Sequence, residues 1–152
     1  MSNSGRGERA IQELKSALRR TDSPNTVSNN IAVQYRMQGD FRRAFQWWKR
    51  TAAYNDGDAW LEIGYCFQYG IGTRRDVAAG IRAYRRAIRS HYNSKYGQEE
   101  AQYHLAVALL DRNKIRYRRE IERLLRLAAE DGDYPQASDA DQGRSRGRRP
   151  AR

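Results

Sequence analysis

The chain has few of the residues from which covalent and metal centres are built. Its 152 residues include one cysteine, two histidines and three prolines. A single cysteine, Cys66, excludes an intrachain disulfide and lacks the companions that a zinc or iron–sulfur site requires. We therefore expect no metal and no other cofactor, a buried and inert thiol, and a reducing compartment.

Long apolar runs are also missing. The first twenty residues, MSNSGRGERAIQELKSALRR, contain no hydrophobic stretch of secretory length. No segment of the chain approaches the roughly 20 apolar residues of a membrane-spanning helix. We expect a cytoplasmic protein that does not associate with a membrane.

Arginine is what the chain has in excess. There are 29 basic residues, of which four are lysine and 25 arginine, against 18 acidic ones, and the net charge is +11. Arginine favours phosphate, carboxylate or aromatic partners, because its planar guanidinium binds in a fork and is weakly hydrated. The codon bias of a GC-rich genome would produce the same composition.

Three parts follow from the pattern along the chain. Residues 1–27 carry a short amphipathic helix over about 7–20, which we expect to cap the rest. Residues 28–137 form a helical repeat domain of ordinary single-domain size. Residues 138–152, SDADQGRSRGRRPAR, have no apolar residue beyond alanine, which predicts a disordered, arginine-rich tail.

The middle part reads three times as helix, tight turn, helix. Each unit opens with an apolar anchor followed by a small residue that lets the second helix approach closely. These pairs are Ile31-Ala32, Ile63-Gly64 and Leu105-Ala106.

The second unit resembles a Sel1-like repeat. The matching positions are Ala59, Ile63-Gly64, Phe67, Gly70-Ile71-Gly72 and Asp76. The first unit is closer to a tetratricopeptide repeat, with Gly39-Asp40 in its turn, and the third has DRNKIRY in place of the glycines. Together they cover roughly residues 28–133 and imply an all-α fold: a short right-handed α/α solenoid of three helical hairpins, preceded by the N-terminal helix and followed by the tail.

The glycines of Gly70-Ile71-Gly72 invite comparison with a phosphate-binding loop. Such a loop follows a strand and is supported by a nearby lysine. Here helical spacing precedes the glycines, and Thr73, Arg74 and Arg75 follow them. The pattern favours a turn in which glycine supplies left-handed backbone angles.

No catalytic constellation is visible. His91 and His104 fall in different segments, neither beside a serine or cysteine nucleophile. The carboxylates after Glu99 are interleaved with arginines, which is typical of a solvated helix face. We expect that the protein is not an enzyme.

The resemblance implies a protein-interaction module, such as an adaptor or a bacterial inhibitor or immunity-type binder. The first helix of each hairpin would line a concave groove suited to a peptide or helix of another protein, an acidic one included. The N-terminal helix or a second copy of the chain is an alternative occupant. The groove residues are Asn29, Val33, Arg36, Leu61, Tyr65, Gln68, Tyr103, Val107 and Leu110.

The alternative function is that of a basic, nucleic-acid-associated protein. It would bind phosphates non-specifically through the tail and through arginines on the outer, second helices. No platform combining aromatic and basic residues is apparent from the sequence. The arginines of this surface are Arg82, Arg86, Arg89, Arg116, Arg119 and Arg123.

Overall fold

The computed structural model describes residues 3–90 and 94–130, and this part of the chain is entirely helical. The predicted all-α class is confirmed. The disordered tail predicted for 138–152, and His91, lie outside the described residues. The seven helices are α1 Asn3–Leu18, α2 Pro24–Met37, α3 Phe41–Ala52, α4 Gly57–Tyr69, α5 Val77–Arg89, α6 Lys95–Asn113 and α7 Arg118–Ala129.

Helices that follow one another in the chain pack against each other. The most extensive contacts join α4 with α5, α2 with α3, and α6 with α7, which are the three predicted helix pairs. The N-terminal helix α1 packs on α2. In addition α4 contacts α6, so the first helices of the second and third pairs lie side by side.

Side-chain caps fix where four of the helices begin. The carboxylates of Asp40, Asp56 and Asp76 each accept a backbone N–H three residues later, at 3.1, 3.0 and 2.9 Å. The hydroxyl of Ser94 accepts the N–H of Gly97 in the same way at 2.9 Å. These bonds satisfy amides that the first turn of a helix leaves without a partner.

The predicted helix boundaries differ from the observed ones at two places. The α1 helix begins at Asn3 rather than near residue 7, and α2 begins at Pro24 rather than near residue 28. Proline is suited to the first turn of a helix, because its φ is preset and no intrahelical N–H is lost there. Pro24 therefore suits its position as the first residue of α2.

The Gly70-Ile71-Gly72 segment is a turn, as expected. Gly70 ends α4 with a left-handed φ of 67°, and Gly72 has a φ of 71°. A Cβ atom at Gly72 would collide with the carbonyl oxygen of Phe41. Both positions thus require glycine, one for its backbone angles and the other also for lack of space.

Two large clusters of buried side chains form most of the core, and α4 and α5 contribute to both. The first cluster joins α1 to α5 and includes Ile11, Ile63 and Ala83. The second joins α4 to α7 and includes Leu61 and Tyr84. The halves of the chain are therefore linked through α4 and α5.

The helices α4 and α5 approach each other closely at Gly64, as the sequence predicted. A Cβ atom there would lie 2.6 Å from the ring of Tyr84, which is fully buried. The Tyr84 hydroxyl donates a hydrogen bond of 2.6 Å to the side-chain oxygen of Gln68. Gly64 makes the space in which this buried polar pair forms.

Candidate docking surface

Two tyrosines stand on the exposed side of α4. Tyr65 and Tyr69 are one helical turn apart, 39% and 47% exposed, with ring centroids separated by 4.7 Å. Tyrosine is enriched in protein interfaces because it combines apolar area with a hydroxyl and has few rotatable bonds. We call Tyr65, Tyr69, Tyr103 and His104 the tyrosine surface.

His104 of α6 connects this surface to the core. Its ring meets that of Tyr65 edge-on at 5.4 Å and stacks on buried Tyr84 at 5.9 Å. The Nε2 atom lies 3.6 Å from the carboxylate of Glu100. The buried Nδ1 atom has no hydrogen-bond partner among the described residues. The histidine thus supports Tyr65 from below through ring contacts.

Paired charges border the tyrosine surface on both sides. Arg36 of α2 contacts Glu62 of α4 at 3.3 Å. Arg75, in the turn after α4, contacts Asp111 of α6 at 2.8 Å and donates to the backbone carbonyl of Gln68 at 3.1 Å. Because each of these arginines faces a carboxylate, the border carries little net charge.

Burial alters the ionisation of two groups in this region. It raises the pKa of the Glu62 carboxyl; nearby Arg36 opposes the shift and Glu100 adds to it. It also raises the pKa of the Tyr69 hydroxyl, with Tyr65 and Tyr103 contributing in the same direction. The Tyr69 hydroxyl is therefore protonated at neutral pH and available as a hydrogen-bond donor.

The nine predicted groove residues are not all exposed to solvent. Arg36 and Tyr65 are exposed, while Leu61 and Gln68 are 7% and 3% exposed. The prediction is corrected for these last two, since Leu61 packs in the second core cluster and Gln68 accepts from Tyr84. The remaining five are half-buried: Asn29, Val33, Tyr103, Val107 and Leu110.

Sequence reasoning missed Tyr69. It lies four residues after Tyr65, a spacing that places two side chains on one side of a helix. The groove residues predicted for this helix were Leu61, Tyr65 and Gln68, and they did not include it. In the structure it is the last residue of α4 and the more exposed of the pair.

The six arginines of the alternative basic surface are all exposed, but their surroundings differ. The guanidinium of Arg86 lies 4.7 Å from the ring of Trp60, and that of Arg116 lies 5.4 Å from the ring of Tyr117. Arg119 and Arg123 make no ring contact or salt bridge with the described residues. Aromatic and basic side chains therefore do come together, which the sequence did not reveal.

The described residues also bear on whether the chain has a reactive thiol, a metal-binding group or a membrane-spanning helix. Burial raises the pKa of the Cys66 thiol to about 12, so it is protonated at neutral pH and is a poor nucleophile. The residues that the structure describes contain no group of three histidine, cysteine or acidic side chains placed to hold a metal ion. None of their helices is long and apolar enough to cross a membrane.

Neither the protein-family models nor the curated proteins include a match to the sequence of the chain.

Proposed function

We propose that this protein is a non-enzymatic protein-binding module that captures a peptide or a helix of another protein on the tyrosine surface. The observation that carries the proposal is the exposed pair Tyr65 and Tyr69 on α4, in which Tyr65 packs against both Tyr69 and His104. Aromatic side chains fixed by packing lose little conformational entropy on binding, which makes them effective anchors.

The repeat pattern supports the same proposal. In a right-handed solenoid of Sel1-like or tetratricopeptide-like hairpins, the first helices form one continuous face. Here Arg36 of α2 reaches α4, and Tyr65 of α4 reaches α6. The half-buried apolar residues Val107 and Leu110 would extend that face along α6.

The charged residues beside the tyrosine surface determine which kind of partner it can bind. Since Arg36 and Arg75 are already paired with carboxylates, the surface has no strong preference for one sign of charge. An apolar or aromatic side chain packed against the two tyrosine rings would supply most of the affinity, with polar groups at the border. The complex should therefore survive physiological salt, because screening acts mainly on exposed charges.

Affinity capture with matched variants tests the proposal. The tagged chain, treated with nuclease, is incubated with native cell extract at two salt concentrations, and the retained proteins are identified by mass spectrometry. We expect Tyr65→Ala and Tyr103→Ala each to lose a partner that wild type retains at both salts. Truncating an anchor of this kind costs about 2 kcal/mol or more, which is roughly a 30-fold loss of affinity.

Tyr54→Ala is the control, because Tyr54 is 51% exposed but lies between α3 and α4, away from the tyrosine surface. Circular dichroism checks that every variant is folded. If capture is unchanged in Tyr65→Ala and Tyr103→Ala, the partner binds elsewhere. If the chain itself is the partner, sedimentation velocity will show a wild-type dimer that Tyr65→Ala dissociates, and the proposal of a foreign partner is then wrong.

A further inference from the structure

Two open depressions flank the C-terminal half of α3, and both are lined by cations and tryptophan. The first lies against α1 and α2. The second lies between the end of α3 and helices α4 and α5. The first is lined by Lys15, Arg19, Tyr35, Arg43, Trp47 and Arg50, and the second by Ala53, Trp60, Arg86 and Arg89 among others.

In the first depression the cations are ordered on aromatic rings. The ammonium of Lys15 donates to the Tyr35 hydroxyl at 2.9 Å and lies 6.0 Å from the Trp47 ring centroid. The guanidinium of Arg50 lies 4.6 Å from the centroid of Trp47, and that of Arg43 lies 5.7 Å from Tyr35. These contacts hold three long side chains in fewer conformations than free surface residues would have.

The positive charge of this depression is largely uncompensated. Its lining contains no acidic residue. Among the described residues Arg43 contacts Asp40 at 3.4 Å, whereas Lys15, Arg19 and Arg50 form no salt bridge. A surface with this many unpaired cations is complementary to an anionic ligand.

The second depression repeats the same arrangement. Arg86 of α5 lies on Trp60 of α4 at 4.7 Å, one helical turn from Arg89. Neither arginine forms a salt bridge with a described carboxylate. The rings of Trp47 and Trp60 are thus each in contact with a guanidinium group. The opposite side of that group faces solvent, since Arg50 and Arg86 are exposed.

Both depressions border α3. Arg43, Trp47 and Arg50 of this helix line the first, and Ala53, directly after its last residue, lines the second. Ten residues separate Arg43 from Ala53, which is about 15 Å along a helix. We call the two depressions together the basic track.

We propose that the basic track binds single-stranded nucleic acid. Phosphates would pair with Lys15, Arg19 and Arg89, and unpaired bases would stack on the exposed guanidinium planes of Arg50 and Arg86. A duplex keeps its bases stacked inside and offers only phosphates. An acidic peptide offers carboxylates without the planar rings for which the two arginine–tryptophan stacks are suited.

Fluorescence anisotropy with a labelled twelve-residue oligothymidylate tests the proposal on the full chain. The track variant is Arg50→Gln with Arg86→Gln. The control is Arg119→Gln with Arg123→Gln, which removes equal charge from exposed α7 positions without ring contacts. We expect the track variant to bind about tenfold or more weakly than wild type, and the control within about threefold. Circular dichroism confirms that both variants are folded.

Salt dependence and competitors complete the test. With the three phosphate contacts proposed, wild-type affinity should fall roughly twentyfold between 50 and 200 mM salt. Tyr65→Ala should bind the oligonucleotide as wild type does, which separates this proposal from that of the tyrosine surface. Equal losses in the track and control variants would overturn the proposal, as would equally tight binding of a duplex or of polyglutamate.

Discussion

At the residue scale, Gly64 determines how closely α4 can lie against α5. The ring of Tyr84 occupies the space where a side chain at this position would be. The same ring also contacts Gln68 and His104, so a shift of Tyr84 would reach the underside of the tyrosine surface.

Gly64→Ala should therefore lower the free energy of unfolding by about 1–3 kcal/mol, because the added methyl group forces Tyr84 or the helix backbone to move. Urea unfolding followed by circular dichroism measures it. Gly5→Ala is the matched control, since a Cβ atom there meets nothing within 4 Å. In that exposed helical position alanine should leave stability unchanged or raise it by about 0.5–1 kcal/mol. Equal losses in both variants would contradict the role assigned to Gly64.

A second residue-scale prediction concerns pH and Glu62. Burial holds the pKa of this carboxyl above its ordinary value of 4.5, so its ionised form is less favourable in the folded chain than in the unfolded one. Its contribution to stability is present below the unfolded pKa and is lost as pH rises through the folded pKa. Glu62→Gln cannot ionise and avoids this loss.

The melting temperature of Glu62→Gln relative to wild type should therefore increase as pH is raised from about 4.5 to neutrality. Thermal melts at a series of pH values measure the difference. Glu8→Gln, an exposed substitution on α1, controls for the change of a carboxylate to an amide. A difference that decreases with pH would show that the ion pair with Arg36 outweighs burial.

At the element scale, the aspartate caps fix the residues at which α3, α4 and α5 begin. Asp76 is the clearest case, because it ends the glycine turn and caps α5 through the N–H of Ala79. Ser23 occupies the equivalent position before α2 but makes no capping hydrogen bond. The two positions allow a direct comparison of an N-cap residue that makes the capping hydrogen bond with one that does not.

Asp76→Ala should lower the free energy of unfolding by about 1 kcal/mol, whereas Ser23→Ala should change it by a few tenths at most. Chemical denaturation of both variants against wild type measures this contrast. If Ser23→Ala is as harmful as Asp76→Ala, then the caps are not what distinguishes these helix starts.

Helix identity was predictable because the apolar residues recur with the helical period, and the turns were predictable from Gly39-Asp40 and the glycines at 70 and 72. Helix faces were harder to assign. On α4 one stripe contains half-buried Glu62 and the exposed Tyr65 and Tyr69, and the adjacent buried stripe contains Leu61 and Gln68. The two stripes differ by about 100° of rotation, so a small error of register exchanges buried and exposed residues.

At the scale of the whole molecule, the basic track lies beyond the reach of sequence reasoning. Lys15 and Arg50 are 35 residues apart and Arg86 is 36 further on, yet they line two depressions beside the same helix. Nothing local in the sequence brings them together, because their positions depend on how α1, α3, α4 and α5 pack. The excess of positive charge was visible from composition, whereas its placement beside Trp47 and Trp60 required the fold.

The two proposed surfaces differ in chemistry and share no residue. The tyrosine surface is aromatic with paired charges, and the basic track is cationic with few carboxylates. High salt should accordingly weaken oligonucleotide binding while leaving the protein complex in place. Variants of one surface therefore serve as folded controls for the other.

The position of α4 limits how the chain can be divided. Ile63 belongs to one core cluster and Leu61, two residues away, to the other, so a break within Gly57–Tyr69 leaves apolar side chains uncovered on both fragments. Proteolytic fragments or split-protein designs cut inside this helix would have to reassociate in order to fold. A permuted chain is better opened between other helices, so that α4 stays whole.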